Sequence, residues 1–353
     1  MAPAKEGVGK DPERYKLVER GTIFYNPMRI LLGSIALLDE GHEPGITSPD
    51  YVVFKSKLEF IHPRWLYYWL RSADGAAFIR TLTRGAVRER MLFRRLAATE
   101  IEVPPYESQL DFARAVLFVE RARAATEAQL EAAKALPAAY LSAVFNSPDA
   151  QQWPTTKLGE LGDIVSGITL GRKISEERTR RIPYLRVANV KDGYLDLSDV
   201  YQIEATETEI GKLRLKFGDL LLTEGGDPDK LGRGTFWEEQ IPECIHQNHI
   251  FRVRFDENAI SSQFVAAQIG SPYGKAYFLA HAKQTTGIAT INQRVLSEFP
   301  LMLPPLTVQE RIVARLSEQM AGAEKTRKAL EEQLSAINAL PAALLRRAFN
   351  GEL

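Results

Sequence analysis

The sequence predicts an α+β chain built from two copies of one unit. Each copy is a mixed α/β head followed by a long helix, and the two helices pair as an antiparallel coiled coil. Three observations predict this: an internal repeat about 200 residues apart, a heptad seam in each helix, and short strand-like runs bounded by glycine turn signals. The chain has 353 residues, 45 Lys+Arg against 45 Asp+Glu, and 45% hydrophobic residues, an ordinary globular balance with enough length for more than one core. A single cysteine excludes an intramolecular disulfide and a Cys-cluster zinc site. No apolar run approaches the roughly 20 residues of a membrane helix, and the opening MAPAKEGVGKDPERYK lacks the apolar stretch of a signal peptide. The expectation is a cytoplasmic protein with no membrane partner. Zero net charge carries no global sign of a polyanionic partner, so any such role must come from local patches.

The repeat is direct. IEVPPYESQ (101–109) matches LMLPPLTVQ (301–309), placing Pro104, Pro105 and Gln109 on Pro304, Pro305 and Gln309. LPAAYLSAVFN (136–146) matches LPAALLRRAFN (340–350) with seven of eleven positions identical. Upstream, Ile61, Trp65, Ser72, Gly75 and Phe78 stand opposite Ile260, Phe264, Ser271, Gly274 and Tyr277.

After each Pro-Pro pair a helix is predicted. Val313, Leu316, Met320, Ala323, Arg327, Leu330, Leu334 and Ile337 recur at 3-4 spacing, and Phe112, Val116, Val119, Arg123, Thr126, Leu130 and Ala133 do so in the same phase. Both seams carry one Arg, 14 residues before Pro137 and Pro341, and a snorkelling side chain explains it best. Helices of about 30 residues span roughly 45 Å. A narrow apolar stripe needs a partner, and the other copy is the cheapest one. Antiparallel pairing places the two heads at opposite ends.

The segment 153–303 has strand-like runs at 182–190, 218–224, 234–239 and 249–255, then helical patterns at 261–281 and 292–298. The first head, with FYNPMRI, SPDYVVFKS and a helix through HPRWLYYWLRSADGAAFIR, repeats only the second half of this, and nothing in it corresponds to 153–217. The organisation expected is a tail at 1–20, a shortened head at 21–103, a helix at 104–149, a full head at 150–303 and a second helix at 304–353.

No enzyme is visible, and no cofactor or metal is expected. VPPY (103–106) resembles the Pro-Pro-aromatic loop of amino-methyltransferases, but its first residue is wrong and a hinge before a helix explains it. His246 and His249 lack an acidic partner and a zincin pattern, and read as surface or turn histidines. GGDPDKLGRG (225–234) has no Gly-Lys-Ser/Thr and is no Walker loop. Cys244 reads as a small, semi-buried residue.

Local charge is more informative. Arg172, Lys173, Arg178, Arg180, Arg181, Arg186 and Lys191 crowd 172–191 against Glu176 and Glu177, and 80–95 holds Arg80, Arg84, Arg88, Arg90, Arg94 and Arg95 against Glu89. Further cations, Lys230, Arg233 and Lys283, stand with polar side chains suited to base edges: Asn189, Gln247, Asn248, Gln284, Thr285, Thr286 and Asn292. Arg and Lys anchor phosphates and read guanine, while Asn and Gln suit adenine. Those of the second head other than Lys191, with Arg84, Arg88 and Arg90 of the first, form the candidate DNA-binding set. Two basic modules on a rigid spacer suit a split site on double-stranded DNA.

The duplicated modules, the Pro-Pro-x-x-x-Gln start of each helix, and three phrases carry a family resemblance. The phrases are WPTTKLGELGDIVSG with IPYLRVANV, GDLLLTEGGDPDKLGRG, and TTGIATINQRVLSEFPLMLPPLTVQERIV. On them the chain resembles the specificity (S) subunit of type I restriction-modification enzymes over nearly all of 21–353. The resemblance implies that 150–303 is a complete target-recognition domain and 21–103 a truncated one, each reading half of a bipartite DNA site. It implies paired helices that act as a ruler and dock two methyltransferase (M) subunits, with restriction/translocase (R) subunits joining the full complex. A non-catalytic subunit follows, directing adenine methylation and restriction by its partners. The short first domain departs from the family. A start lying upstream is the favoured account, beside a first half that reads DNA poorly and completion by a second chain. Two other readings share these features: the recognition module of a single-chain restriction-methylase, and a coiled-coil adaptor that binds proteins.

Overall fold

Residues 12–39, 41–83, 90–173, 178–226, 231–285, 288–350 and 352 are described in the computed structural model. They fall into two units, Met1–Leu130 with Lys328–Leu353, and Glu131–Arg327. In the first unit β1 (Lys16–Val18), β2 (Thr22–Tyr25), β3 (Ile35–Leu38), β4 (Gly45–Thr47) and β5 (Val52–Lys55) form two small sheets. β2 lies between β3 and β5, antiparallel to both, and β1 pairs with β4. Three helices follow, α1 (Pro63–Arg71), α2 (Ala73–Leu82) and α3 (Phe93–Ala97), then α4 (Tyr106–Phe145), whose residues 106–130 belong here. The single helix expected over 62–80 is two. Ser72 caps α2 by accepting from the Gly75 N–H at 3.0 Å, and a Cβ on Gly75 would run into the Trp69 carbonyl.

The second unit contains β6 (Thr155–Lys157), α5 (Leu158–Leu161), β7 (Asp163–Ser166), β8 (Thr179–Leu185), β9 (Tyr201–Thr206), α6 (Glu207–Leu213), β10 (Leu220–Thr223), β11 (Gly225–Gly226), β12 (Gly234–Phe236), β13 (Ile245–His246) and β14 (Ile250–Arg254). It continues through α7 (Ser262–Gly270), α8 (Pro272–His281), β15 (Lys283–Thr285), β16 (Ile288–Thr290), α9 (Gln293–Ser297), β17 (Pro300–Met302) and the first part of α10 (Leu306–Phe349). The helix expected over 261–281 breaks at Ser271 and Gly274, as its copy does at Ser72 and Gly75. β12-β10-β14-β7 form one sheet and β13-β8-β9 another.

The three-stranded sheet of the first unit repeats three of the four strands here, since β2, β3 and β5 precede β10, β12 and β14 by 198–199 residues. No counterpart of β7, β8 or β9 occurs among the described residues of the first unit. Its consequence is visible in two side chains. Leu17 and Ile46 are 59% and 55% exposed, whereas Leu215 and Ile245, at the corresponding repeat positions, are 3% and 0% exposed.

The helix seams hold in the predicted phase. In the first unit Phe112, Val116, Val119, Thr126 and Leu130 are buried, and Arg123 alone turns outward, its Nε 3.6 Å from Glu127. Phe112 and Val116 share a core with Leu345 and Ala348 of α10, while Thr126, further along, meets Gln333 at 3.5 Å. Numbers rise on one helix as they fall on the other, so the pair is antiparallel. In the second unit the end of α4, Leu141 and Phe145, packs on the start of α10, Ile312 and Leu316. Arg327 reaches Glu324 through Nε and a terminal nitrogen at 2.9 and 2.7 Å. Both helices outrun the expected 30 residues, at 40 and 44, because they continue through Pro137 and Pro341. Each proline removes one N–H from the ladder, but the apolar residues beyond it still find a core.

The repeated glutamine fixes each helix to its head. Gln109 Oε1 accepts from the His62 N–H at 2.9 Å, and its Nε2 donates to the carbonyls of Pro104 and Phe60 at 2.9 and 3.1 Å. Gln309 repeats this, accepting from the Ser261 N–H at 3.0 Å and donating to Pro304 at 2.8 Å. His62 and Ser261 are the N-cap residues of α1 and α7. Both amides are fully buried, so neither end of the link can fall back on water.

Two expectations are corrected by burial. His246 is no surface or turn residue: it is wholly buried, its Nδ1–H donates to the Ile250 carbonyl at 3.1 Å, and burial pushes its pKa down to about 4. Cys244 is fully rather than partly buried, and burial pushes its thiol up to about 12.

Replacing Gln309 by Ala strands the Ser261 N–H and is expected to cost about 2 kcal/mol, read by urea unfolding of the second unit. For His246 the sign follows from the lowered pKa. An unfolded imidazole takes its proton near 6.5, the folded one only near 4, so stability is complete above 6.5 and declines as pH falls. Between 6.5 and 5 the loss is about 2 kcal/mol, and comparing unfolding of the wild-type and His246→Gln chains at both pH values checks that the slope disappears with the imidazole.

Candidate nucleic-acid interface

The polar and basic segments of the second head meet around Glu224, at the end of β10. The Glu224 N–H donates to the His249 carbonyl at 2.9 Å, the Glu224 carbonyl accepts from the Ile291 N–H at 2.8 Å, and its carboxylate pairs with His249 Nδ1 at 2.5 Å. From there β11 pairs with β16, which pairs with β15. The glycine run is needed here: a Cβ on Gly225 would sit 2.7 Å from the Ala289 carbonyl. On the other flank the Asn248 N–H donates to Ile168 and the Gln247 N–H to Leu185, at 3.0 and 2.9 Å. Gln247 Oε1 accepts from the Val187 N–H at 3.2 Å. The stretches 167–173, 185–189, 224–226, 246–249, 283–285 and 288–292 therefore adjoin through backbone pairing.

The cations divide into two groups. Arg172 forks onto Glu209 at 2.5 and 2.7 Å and donates to the Glu204 carbonyl at 3.0 Å. That hydrogen bond holds the Glu209 carboxyl below its ordinary value, and Glu209 also accepts from the Thr206 N–H in the capping box of α6. Arg180 bridges Glu207 and Glu243 at 2.6 and 3.0 Å. Arg186 lies over the Tyr201 ring, 3.3 Å from its centroid, and is held by Asp199 at 2.8 Å. Lys173, Arg178, Arg181 and Lys283 are exposed and show no side-chain hydrogen bond or ion pair among the described residues. Arg181 stands across β8 and β9 from Glu204, on the face opposite Arg180.

The polar candidates divide the same way. Asn189 is 3% exposed and fully used: its Oδ1 accepts from the Arg186 N–H, and its Nδ2 donates to the Asp196 and Asp199 carbonyls. This is why β8 stops at Leu185 instead of running on through 190. Asn292 caps α9 by accepting from the Val295 N–H at 2.9 Å. Arg233 is half-buried, its carbonyl accepting from the Thr223 N–H at 2.9 Å. Gln284 and Thr285 form β15 with Lys283. Arg90 is exposed in the first unit, apart from this convergence in the sequence-derived set. Arg84, Arg88, Lys230 and Thr286 lie outside the described residues.

Tyr201, Asp199 and the Glu224–His249 pair escaped the sequence reading. The alternation in YQIEAT was a usable strand signal for Tyr201, whereas no sequence pattern brings residue 224 to 249. Among the described residues no group of three or more His, Cys, Asp or Glu is placed to hold a metal ion.

Comparisons with known proteins agree with this architecture. Over 309 residues the chain is 26% identical to the type I restriction enzyme StySPI specificity subunit of Salmonella potsdam, covering 84% of this chain and 66% of that protein. It is 28% identical over 173 residues to the type I restriction enzyme EcoKI specificity subunit of Escherichia coli (strain K12), covering 48% of this chain and 37% of that one. The chain thus spans less than two thirds of these curated relatives. A solved chain from a structural study of complex assembly and conformational transition of the type I R-M system has the same fold, with a TM-score of 0.68 at 20% identity over 97% of this chain and 85% of that one. The family model for the type I restriction modification DNA specificity domain matches residues 150–335, more than half of the chain. The chain belongs to that family.

Proposed function

We propose that this chain is the DNA-sequence-recognition subunit of a type I restriction-modification complex. It binds double-stranded DNA at a bipartite site and directs adenine methylation and restriction by its partners, without catalysing either step and without a cofactor of its own. The partners are two methyltransferase subunits and, in the full complex, restriction/translocase subunits, working in the cytoplasm. Residues 150–303 serve as the complete target-recognition domain and 21–103 as a truncated one, with 104–149 and 304–353 as the helices behind them.

One observation carries this reading: segments of the family phrases meet by backbone pairing around Glu224, among them the Lys283 strand and the half-exposed Gln247 and Asn248. Lys173, Arg178, Arg181 and Lys283 are suited to phosphates, since they are exposed and make no side-chain ion pair among the described residues. Gln247 and Asn248 are half-exposed and suited to base edges. Arg172, Arg180 and Asn189, bound into the fold, position this surface.

Footprinting or filter binding of the chain reconstituted with methyltransferase subunits should reveal a preferred site, and binding without site preference would reject the reading. Reversing Lys173, Arg178 and Arg181 to Glu should weaken binding to all sequences alike and flatten the salt dependence by roughly 0.9 in slope per lost phosphate contact. Arg172→Ala should instead lower the stability of the second unit, which thermal unfolding without DNA would register.

A further inference from the structure

Each head ends in a short extended segment, paired in the second unit and unpaired in the first. In the second unit β17 is satisfied on both edges. The Met302 N–H donates to Gln268 Oε1 at 2.9 Å, and its carbonyl accepts from Gln268 Nε2 at 3.0 Å. The other edge pairs antiparallel with β6, Leu301 opposite Thr156. Beyond this pairing the Leu158 N–H donates to the Phe299 carbonyl at 3.0 Å and the Leu303 N–H to Pro154 at 2.8 Å. Trp153, just ahead of β6, packs with Ala150 in one core with Phe145 and Met302.

The repeat places Glu100, Ile101 and Glu102 at the positions of β17. Ile101 packs on the core of the first unit as Leu301 packs in the second. There the likeness ends. Residues 100–102 enter no sheet, and their backbone groups make no hydrogen bond among the described residues. Phe349, at the repeat position of Phe145, is 39% exposed against 2%. Asp74 stands at the position of Tyr273, whose hydroxyl donates to the Pro300 carbonyl at 2.8 Å. The first unit is left with a groove of about 320 Å³ beside this segment, walled by Trp69, Phe78 and Phe349 and by Asp74, Glu100 and Glu102. The three carboxylates are exposed and show no side-chain hydrogen bond or ion pair among the described residues.

We propose that this groove binds an extended, basic segment of another polypeptide, which adds to residues 100–102 as β6 adds to β17. An unpaired extended edge accepts such a segment through main-chain hydrogen bonds, while side chains from the incoming strand supply specificity. The register of β6 sets the chemistry. Lys157 lies opposite Pro300 and Thr155 opposite Met302. Side chains at those two places in the incoming segment stand opposite Glu100 and Glu102, where Lys or Arg is favoured. The second unit already uses a carboxylate there, Glu298, to hold Lys157 at 2.7 Å. An aromatic residue two places before the first cation takes the position of Trp153, beside Phe349. The motif is aromatic-x-basic-x-basic. Carboxylates repel phosphate, so this site is distinct from the DNA surface proposed above and does not rest on that function.

Fluorescence anisotropy of a labelled peptide spanning residues 150–160 with Thr155→Lys, titrated with the full chain, tests this. Saturable binding is expected. It should weaken about tenfold or more when the peptide carries Trp153→Ala, and likewise when the chain carries Glu100→Lys with Glu102→Lys, whose thermal unfolding should match the wild type. No saturable binding, or unchanged affinity of the double variant, would overturn the proposal. If the double variant does not fold, a Trp153→Ala peptide that binds as tightly as its parent overturns it alone. Binding that appears only after removal of residues 1–11 would assign the groove to the chain's own N-terminal segment. Sedimentation showing a dimer that the peptide dissociates would assign it to a second copy. Either result would overturn the proposed occupant.

Discussion

A glutamine amide, used once in each copy, is the link on which the arrangement of head and helix depends. The backbone N–H at a half-buried helix N-cap and the carbonyl of a buried proline just before a second helix both need partners. Gln109 and Gln309 satisfy them with the two ends of one side chain. The link spans the start of α1 or α7 and the start of α4 or α10, so it sets the angle at which a long helix leaves its head. Proline before each helix fixes the approach of the chain, and the amide locks it.

What duplication preserved and what it released follows from this. The helix-turn-helix closed by Ser72 or Ser271, the glutamine and the seam phase recur because each is tied to buried backbone geometry. The outward surfaces of the two heads diverge. The second head carries β7, β8 and β9, and with them the charge pairs that hold the surface around Glu224. The first head, without a described counterpart of those strands, instead sends Arg64 and Tyr68 across to its own helix.

Much of the fold was legible in the sequence because periodicity and self-similarity report on burial. Every apolar position of the two seams is buried or half-buried in the structure, and the exceptional Arg123 points to water as a long cationic side chain does. The helix breaks at Ser72 and Ser271 were missed because the apolar pattern continues across them, while the cap and a glycine at a close approach decide the turn. The candidate site was half legible. Composition found the basic stretch but could not tell Arg181, which is exposed, from Arg172 and Arg180, whose partners lie 27–63 residues away. Asn189 looked like a base reader because a buried amide and an exposed one are the same letters. His246 and His249 read alike for the same reason.

The uncovered pair on the first small sheet has a consequence for how that unit behaves. Leu17 and Ile46 face each other across β1 and β4 and stand in water where their twins stand dry. Burying such a side chain is worth about 1.5–3 kcal/mol, so the first unit forgoes a stabilisation that the second collects at both positions. A greasy strand pair in solvent is where self-association under stress would begin.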